Sequence, residues 1–152
     1  MIDDALRYMA DAARDERLFY LVVIDATDST SPSKTLWTEA FYGNVAACLA
    51  PGGVAVDSDI LTFGSGGATL SRDPCELGIF DLMRSKRFFG RVECYHSIVP
   101  LYPGGYFAFF LYSKDAHSYR KPTRDLSFRY YNARIHEGAF ALPTWWRALM
   151  ER

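Results

Sequence analysis

Leu18-Phe19-Tyr20-Leu21-Val22-Val23-Ile24 is as long as any apolar run in the chain, and it stops abruptly at Asp25. A membrane-spanning helix needs about 20 apolar residues, so this run predicts no membrane partner. A short run apolar on both faces reads instead as a central strand of a parallel sheet, because a strand covered on both sides carries no polar alternation. Upstream, Ile2, Ala5, Leu6, Met9, Ala12 and Ala13 share one helical face. Asp3 or Asp4 can cap that helix, since a short carboxylate accepts the free amides of a first turn. Downstream, Asp25 to Ser33 is polar and turn-rich, and a second helical pattern runs from about Leu36 to Leu49. Pro51-Gly52-Gly53 reads as a stop and turn, after which Val54-Ala55-Val56 begins another strand. Helix, strand, helix, strand is the order of an α/β domain with a parallel sheet.

The remaining chain fits the same class. Thr62–Pro74 is rich in Gly, Ser and Thr and reads as a loop; Cys75, Ile79, Leu82 and Met83 form a third helical stripe. Residues 91–99 and 106–112 are aromatic and β-branched runs around Leu101-Tyr102-Pro103-Gly104-Gly105, which predicts an antiparallel pair. The tail carries two short helical patterns separated at Pro143. With 152 residues, 49% of them hydrophobic, the chain fits one domain with a packed core. A net charge of −1 leaves no basic footprint for nucleic acid. Ile2-Asp3-Asp4 does not open a signal peptide, and Cys48, Cys75 and Cys94 lack metal-ligand spacing. A reduced, cytoplasmic location is the expectation.

Ligands of open α/β sheets bind beyond the carboxyl ends of the strands. Asp25 ends the most apolar strand and Asp28 follows in the next loop. Two carboxylates there attract a cationic amine, and one can accept its proton; from spacing alone, ordinary turn and cap aspartates fit better, because Asp is common in such loops. Asp4 is either a plain helix cap or a carboxylate for an adenine amino group or ribose hydroxyl. Tyr102 is either a packed turn residue or a hydroxyl and ring facing an amine. His96, His117 and His136 have no partner at catalytic spacing and read as surface or packing residues. Gly64-Ser65-Gly66-Gly67 lacks the Lys-Ser/Thr of a phosphate loop.

Five stretches taken together resemble one family, the spermidine synthase-type polyamine aminopropyltransferases. They are Asp4-Ala5-Leu6-Arg7-Tyr8; Val22-Val23-Ile24-Asp25-Ala26-Thr27-Asp28; Leu36-Trp37-Thr38-Glu39-Ala40-Phe41-Tyr42 running on to Leu49-Ala50-Pro51-Gly52-Gly53-Val54; Tyr102-Pro103-Gly104-Gly105; and Arg129-Tyr130-Tyr131-Asn132 with His136 and Ala139-Phe140-Ala141-Leu142-Pro143. The last is the most specific. The resemblance implies a partial Rossmann-like sheet, of the class I methyltransferase-like kind, with a C-terminal antiparallel strand pair and flanking helices. Residues 1–152 would form the C-terminal part of the catalytic domain, in a homo-oligomer when full length. The implied reaction moves an aminopropyl group from decarboxylated S-adenosylmethionine, a co-substrate, to putrescine or a related amine. It gives spermidine and methylthioadenosine without a cofactor.

By the same resemblance Asp25 is the proton acceptor, and Asp28 and Tyr102 line the amine pocket. Asp4 and Ala5 match the pair that contacts the donor's adenine, and Pro32 matches a proline near the nucleoside. Ser58 stands where the family has a pocket glutamine, inside Asp57-Ser58-Asp59, so acidity replaces an amide there. Ser29 and Ser31 replace the family's proline and glycine. No match appears for the family's N-terminal strand domain or its Gly-rich donor loop. The chain alone is therefore expected to be incomplete and inactive, with an unpaired sheet edge. Two further readings stand beside this one: a non-catalytic binding or regulatory relative, and a small-molecule methyltransferase of similar fold.

Overall fold

The computed structural model describes residues 4–26, 36, 38–59, 87–101, 106–144 and 147. Asp4 sits in extended backbone and its Oδ1 accepts the Arg7 amide at 2.9 Å, which starts helix α1 (Ala5–Arg14). The chain reverses through Glu16, in left-handed backbone at φ 55, and enters strand β1 (Phe19–Ile24). Thr38 Oγ1 accepts the Phe41 amide at 3.3 Å and caps α2 (Glu39–Ala47). Strands β2 (Leu49–Asp59), β3 (Arg91–Ile98) and β4 (Tyr106–Ser113) follow. Asn132 then caps the short helix α3 (Ala133–Ala139), its Oδ1 accepting the Ile135 amide at 3.0 Å.

The four strands form one sheet in the order β1-β2-β4-β3. β1 pairs with β2 in parallel, and the β2–β4 and β4–β3 pairs are antiparallel. This is the mixed α/β sheet with a C-terminal antiparallel pair and flanking helices that the sequence predicts. Register explains which face is covered. Ile24 lies beside Asp57 and Val22 beside Ala55; Asp57 lies opposite Phe110 and Ala55 opposite Tyr112. Side chains alternate along a strand, so these residues share one face. Against it pack Met9 and Ala12 from α1 and Phe41, Tyr42 and Val45 from α2, all buried. Each large apolar side chain removed from water there contributes about 1.5–3 kcal/mol.

Two expectations about these strands change. β1 is parallel as predicted, but among the described residues it has a neighbouring strand on one side only rather than on both. Leu18, Tyr20, Leu21 and Val23 are 56%, 76%, 58% and 66% exposed, so the run is apolar on surfaces that the described residues leave uncovered. Pro51-Gly52-Gly53 does not end the pattern; it lies inside β2. Phe19 pairs with Leu49 but Leu21 pairs with Val54, so β2 takes five residues where β1 takes two. The surplus forms a bulge. Gly52 adopts φ 73 to make the turn, and a Cβ on Gly53 would lie 2.8 Å from the carbonyl oxygens of Ala50 and Phe19. The helical stripe at 75–83 and the loop at 62–74 lie outside the described residues. Among those described, no helix is long and apolar enough to cross a membrane.

Candidate functional site

Parallel strands that end together leave a space between their carboxyl ends and the helices packed on them. Here that space is a cleft of about 610 Å³ between α1 and the end of β1. Ala5, Tyr8 and Met9 of α1 form one wall, Val22 to Ala26 form the other, and Leu36 and Phe41 close the side. Most of this lining is apolar. Its charged groups are Asp25, one residue past the end of β1, and Arg17, just before the start of the same strand. The Arg17 guanidinium lies over the Tyr8 ring, 4.9 Å from its centre. Asp25 is exposed, and among the described residues no hydrogen bond or ion pair engages its carboxylate. An accessible carboxylate beside an apolar wall suits a small molecule with a flat apolar part and a cationic end.

The predicted site residues fall into three groups. Asp25 and Ala5 both line this cleft. Asp4 is not among its lining residues; its carboxylate caps α1 by accepting the Arg7 amide, as the helix-cap reading expects. Ser58 lies in β2 opposite Phe109. The pair Ile24–Asp57 puts Asp25 and Ser58 each one residue further, at the same end of neighbouring strands. Asp28, Pro32 and Tyr102 lie outside the described residues.

The structure adds polar groups that sequence spacing does not reveal. Asp57, 1% exposed, turns toward the helices, and the buried Tyr42 hydroxyl donates to its Oδ2. Burial, then the nearby Tyr112 and Asp57, push the Tyr42 phenol far above its ordinary range, so it stays a neutral donor. The acidity of Asp57 is thus directed into the core beneath the cleft. Glu93 has a side chain only 1% exposed. It accepts from the Tyr119 amide at 2.9 Å, from Arg120 Nε at 2.9 Å and from Ser118 Oγ at 3.0 Å. Burial works to raise its carboxyl, but the Tyr119 amide and the Arg120 and Ser118 hydrogen bonds outweigh that and leave it below the ordinary value.

His136 also has partners that its sequence context hides. Its Nε2 lies 2.7 Å from the Tyr119 carbonyl oxygen, and its Nδ1 lies 3.1 Å from the Tyr131 hydroxyl. A neutral ring donating from Nε2 and accepting at Nδ1 satisfies both contacts. Tyr131, Asn132 and His136, part of the most specific stretch, therefore form a cap and a tie for α3. The signal for Asp57 and Glu93 was present in the sequence: each is a carboxylate within a strand pattern, and a buried carboxylate requires donors.

Known proteins share this architecture. A family model described as the spermine/spermidine synthase domain matches residues 1–122. The polyamine aminopropyltransferase of Thermoplasma volcanium is 31% identical over 143 residues, covering 94% of this chain and 47% of that protein. That of Serratia proteamaculans is 32% identical over 152 residues, covering 94% and 49%. The chain spans about half the length of the curated relatives it matches. Among solved structures, a spermidine synthase in complex with the transition state analogue AdoDATO superposes with a TM-score of 0.74 at 22% identity, covering 99% of this chain and 50% of that one. Human methyltransferase-like protein 13 in complex with SAH superposes with a TM-score of 0.54 at 15% identity, covering 100% and 59%. At these identities the structural likenesses show a shared fold.

Proposed function

The chain belongs to the spermine/spermidine synthase family, and from that premise we propose that it carries the amine-activating part of an aminopropyl transfer in polyamine biosynthesis. The donor is decarboxylated S-adenosylmethionine and the acceptor is putrescine or a related amine. The acceptor nitrogen attacks the propyl carbon bound to the sulfonium. The new C–N bond forms as the C–S bond breaks, and methylthioadenosine leaves with the electron pair. The surplus proton on nitrogen passes to Asp25. The sulfonium needs no further activation, so the protein's work is positioning and proton removal. One observation carries this reading: the exposed Asp25 carboxylate stands at the carboxyl end of β1, on a cleft whose other wall holds Ala5.

Asp28, Tyr102 and Ser58 are assigned to the amine and Asp4, Ala5 and Pro32 to the donor, all by family resemblance. Residues 1–152 on their own are proposed to be inactive, since relatives that perform the reaction are about twice as long. A second reading is a non-catalytic subunit that binds a full-length relative.

The test is a chimera in which the portion of the Thermoplasma volcanium protein outside the match precedes residues 1–152. It should convert putrescine to spermidine, and Asp25→Asn should lower kcat by about 10²–10⁴ with less effect on methylthioadenosine affinity. Turnover within about threefold of the parent chimera would remove Asp25 from the role of base. A chimera that binds methylthioadenosine but never turns over supports the non-catalytic reading.

A further inference from the structure

The segment after β4 returns to the sheet through one file of aromatic rings. The Phe140 ring, just past α3, lies 5.6 Å from the Tyr95 ring of β3. Tyr95 stacks on Phe109 of β4 at 5.2 Å with the planes 17° apart, and Phe107 follows at 5.3 Å from Phe109. Behind Phe140 the His136 ring lies 5.6 Å away, itself tied to Tyr119 and Tyr131. Side chains alternate along a strand, so Phe109 and Tyr95 face away from Phe110, Cys94 and the core that α1 and α2 cover. The tail backbone reaches β3 as well, where Gly138 and Ala141 hydrogen-bond with the His96 ring. No residue of α3 is itself buried, so these contacts make the attachment.

Register places this file beside the proposed amine site. Phe109 lies opposite Tyr95 on one side and opposite Ser58 on the other. Asp25 stands level with Ser58, because Ile24 pairs with Asp57. Asp25, Ser58, Phe109 and Tyr95 therefore form one row across the sheet, and Phe140 closes its far end. Neighbouring strands are about 4.8 Å apart, so the backbone at Phe109 stands about 10 Å from that at Asp25.

We propose that Tyr95 and Phe140 are positioning residues of the amine site: the tail, through Phe140, fixes the Tyr95–Phe109 stack and with it the strand position that presents Ser58 beside Asp25. The inference rests on the proposed assignment of Asp25 and Ser58 to the amine. Packed interiors transmit displacement, because a ring that moves leaves a void its neighbour must fill. Loss of the Phe140 ring frees Tyr95 to turn, and Phe109, stacked on it, follows. A misplacement of about 1 Å is enough to spoil an attacking geometry. The effect falls on the acceptor side alone, since neither ring lies among the residues assigned to the donor. A tail that only stabilised the sheet would instead lower melting and leave the amine no worse bound than the nucleoside.

Two measurements test this. In residues 1–152, Phe140→Leu keeps an apolar side chain and removes the ring. The amide resonances of Phe109, Ser58 and Asp25 should then shift, while those of Met9 and Val45, on the other face, stay in place. In the chimera described above, Phe140→Leu and Tyr95→Leu should each raise the KM for putrescine about two- to tenfold, with methylthioadenosine affinity unchanged. Tyr95→Phe, which keeps the stacked ring, should recover the KM that Tyr95→Leu loses. Leu126→Ala, in the same tail but outside the file and 43% exposed, should change neither the resonances nor the KM. Shifts confined to α3 and Tyr95 overturn the proposal. So does a KM that stays at the parental value, or an equal loss of both ligands, which would mean that the whole sheet has loosened. A parent chimera that never turns over counts against the proposed reaction, and the resonance shifts alone then decide whether the tail sets the row.

Discussion

Replacing Glu93 with Gln isolates the buried carboxylate that holds the segment after β4. The substitution keeps the shape and one acceptor oxygen. Glu93 Oε2 accepts the Tyr119 amide at 2.9 Å, while Oε1 accepts from Ser118 and Arg120. A glutamine must direct its amide nitrogen at one of these groups of donors, so either rotamer sets donor against donor. Hydrogen bonds to a charged acceptor contribute about 1.5–3 kcal/mol each. The Arg120 contact is discounted to about 0–1 kcal/mol because that side chain is 57% exposed and rehydrates. The net cost is therefore about 2–4 kcal/mol, set mainly by the Tyr119 amide and the Ser118 hydroxyl. For a urea dependence of about 1–3 kcal/mol per M, the unfolding midpoint should fall by about 0.7–4 M. Amide exchange at Tyr119 should accelerate in the same variant. A loss below about 0.5 kcal/mol would refute the argument, since it would mean that water already serves these donors. The same group sets an acid limit. Its folded value lies below the unfolded value of 4.5, so its stabilisation is complete above that pH and is lost as pH falls through the folded value. Glu93→Gln should therefore flatten the acid side of a stability–pH curve.

Three other substitutions test local packing and backbone geometry. Tyr42→Phe removes the hydroxyl that donates to Asp57 and should cost about 1–3 kcal/mol in denaturant unfolding, because a buried carboxylate loses a donor; an unchanged midpoint would mean that Asp57 does not rely on it. Gly53→Ala brings a Cβ within 2.8 Å of two backbone oxygens and should destabilise by about 1–3 kcal/mol, measured the same way. Gly138→Ala, in α3 with nothing within 4 Å of the added carbon, should instead stabilise by about 0.5–1 kcal/mol. Similar effects at the two glycines would contradict the bulge geometry of β2.

Much of the fold was legible because its elements have strong periodicity. The apolar face of α1, the run into β1 and the paired aromatic strands around 101–105 each carry one dominant pattern. The bulge in β2 was not legible. Pro51 and two glycines resemble a helix stop in sequence, and only the Phe19–Leu49 pair shows that the strand has already begun. The apolar run of β1 did not by itself show that, among the described residues, it has a neighbouring strand on one side only. Apolarity on both faces reports what a strand is suited to bury, whereas its neighbours are decided elsewhere in the chain.

Asp25 was legible because its signal is local: a carboxylate ends an apolar run, and the run itself fixes where that end lies. Asp57, Glu93 and His136 depend on partners distant in sequence. Tyr42 precedes Asp57 by 15 residues, and Tyr119 follows Glu93 by 26. Spacing of that kind has no helical or strand period, so no local pattern could name the pairs. A narrower inference was nevertheless open. In Val54-Ala55-Val56-Asp57 the alternation puts Asp57 on the same face as Ala55, and Ala55 belongs to the core. An inward carboxylate requires a buried donor, and α2, the helix preceding that strand, offers a tyrosine hydroxyl at Tyr42. Local pattern could therefore require a donor for Asp57, but only packing could show that Tyr42 supplies it.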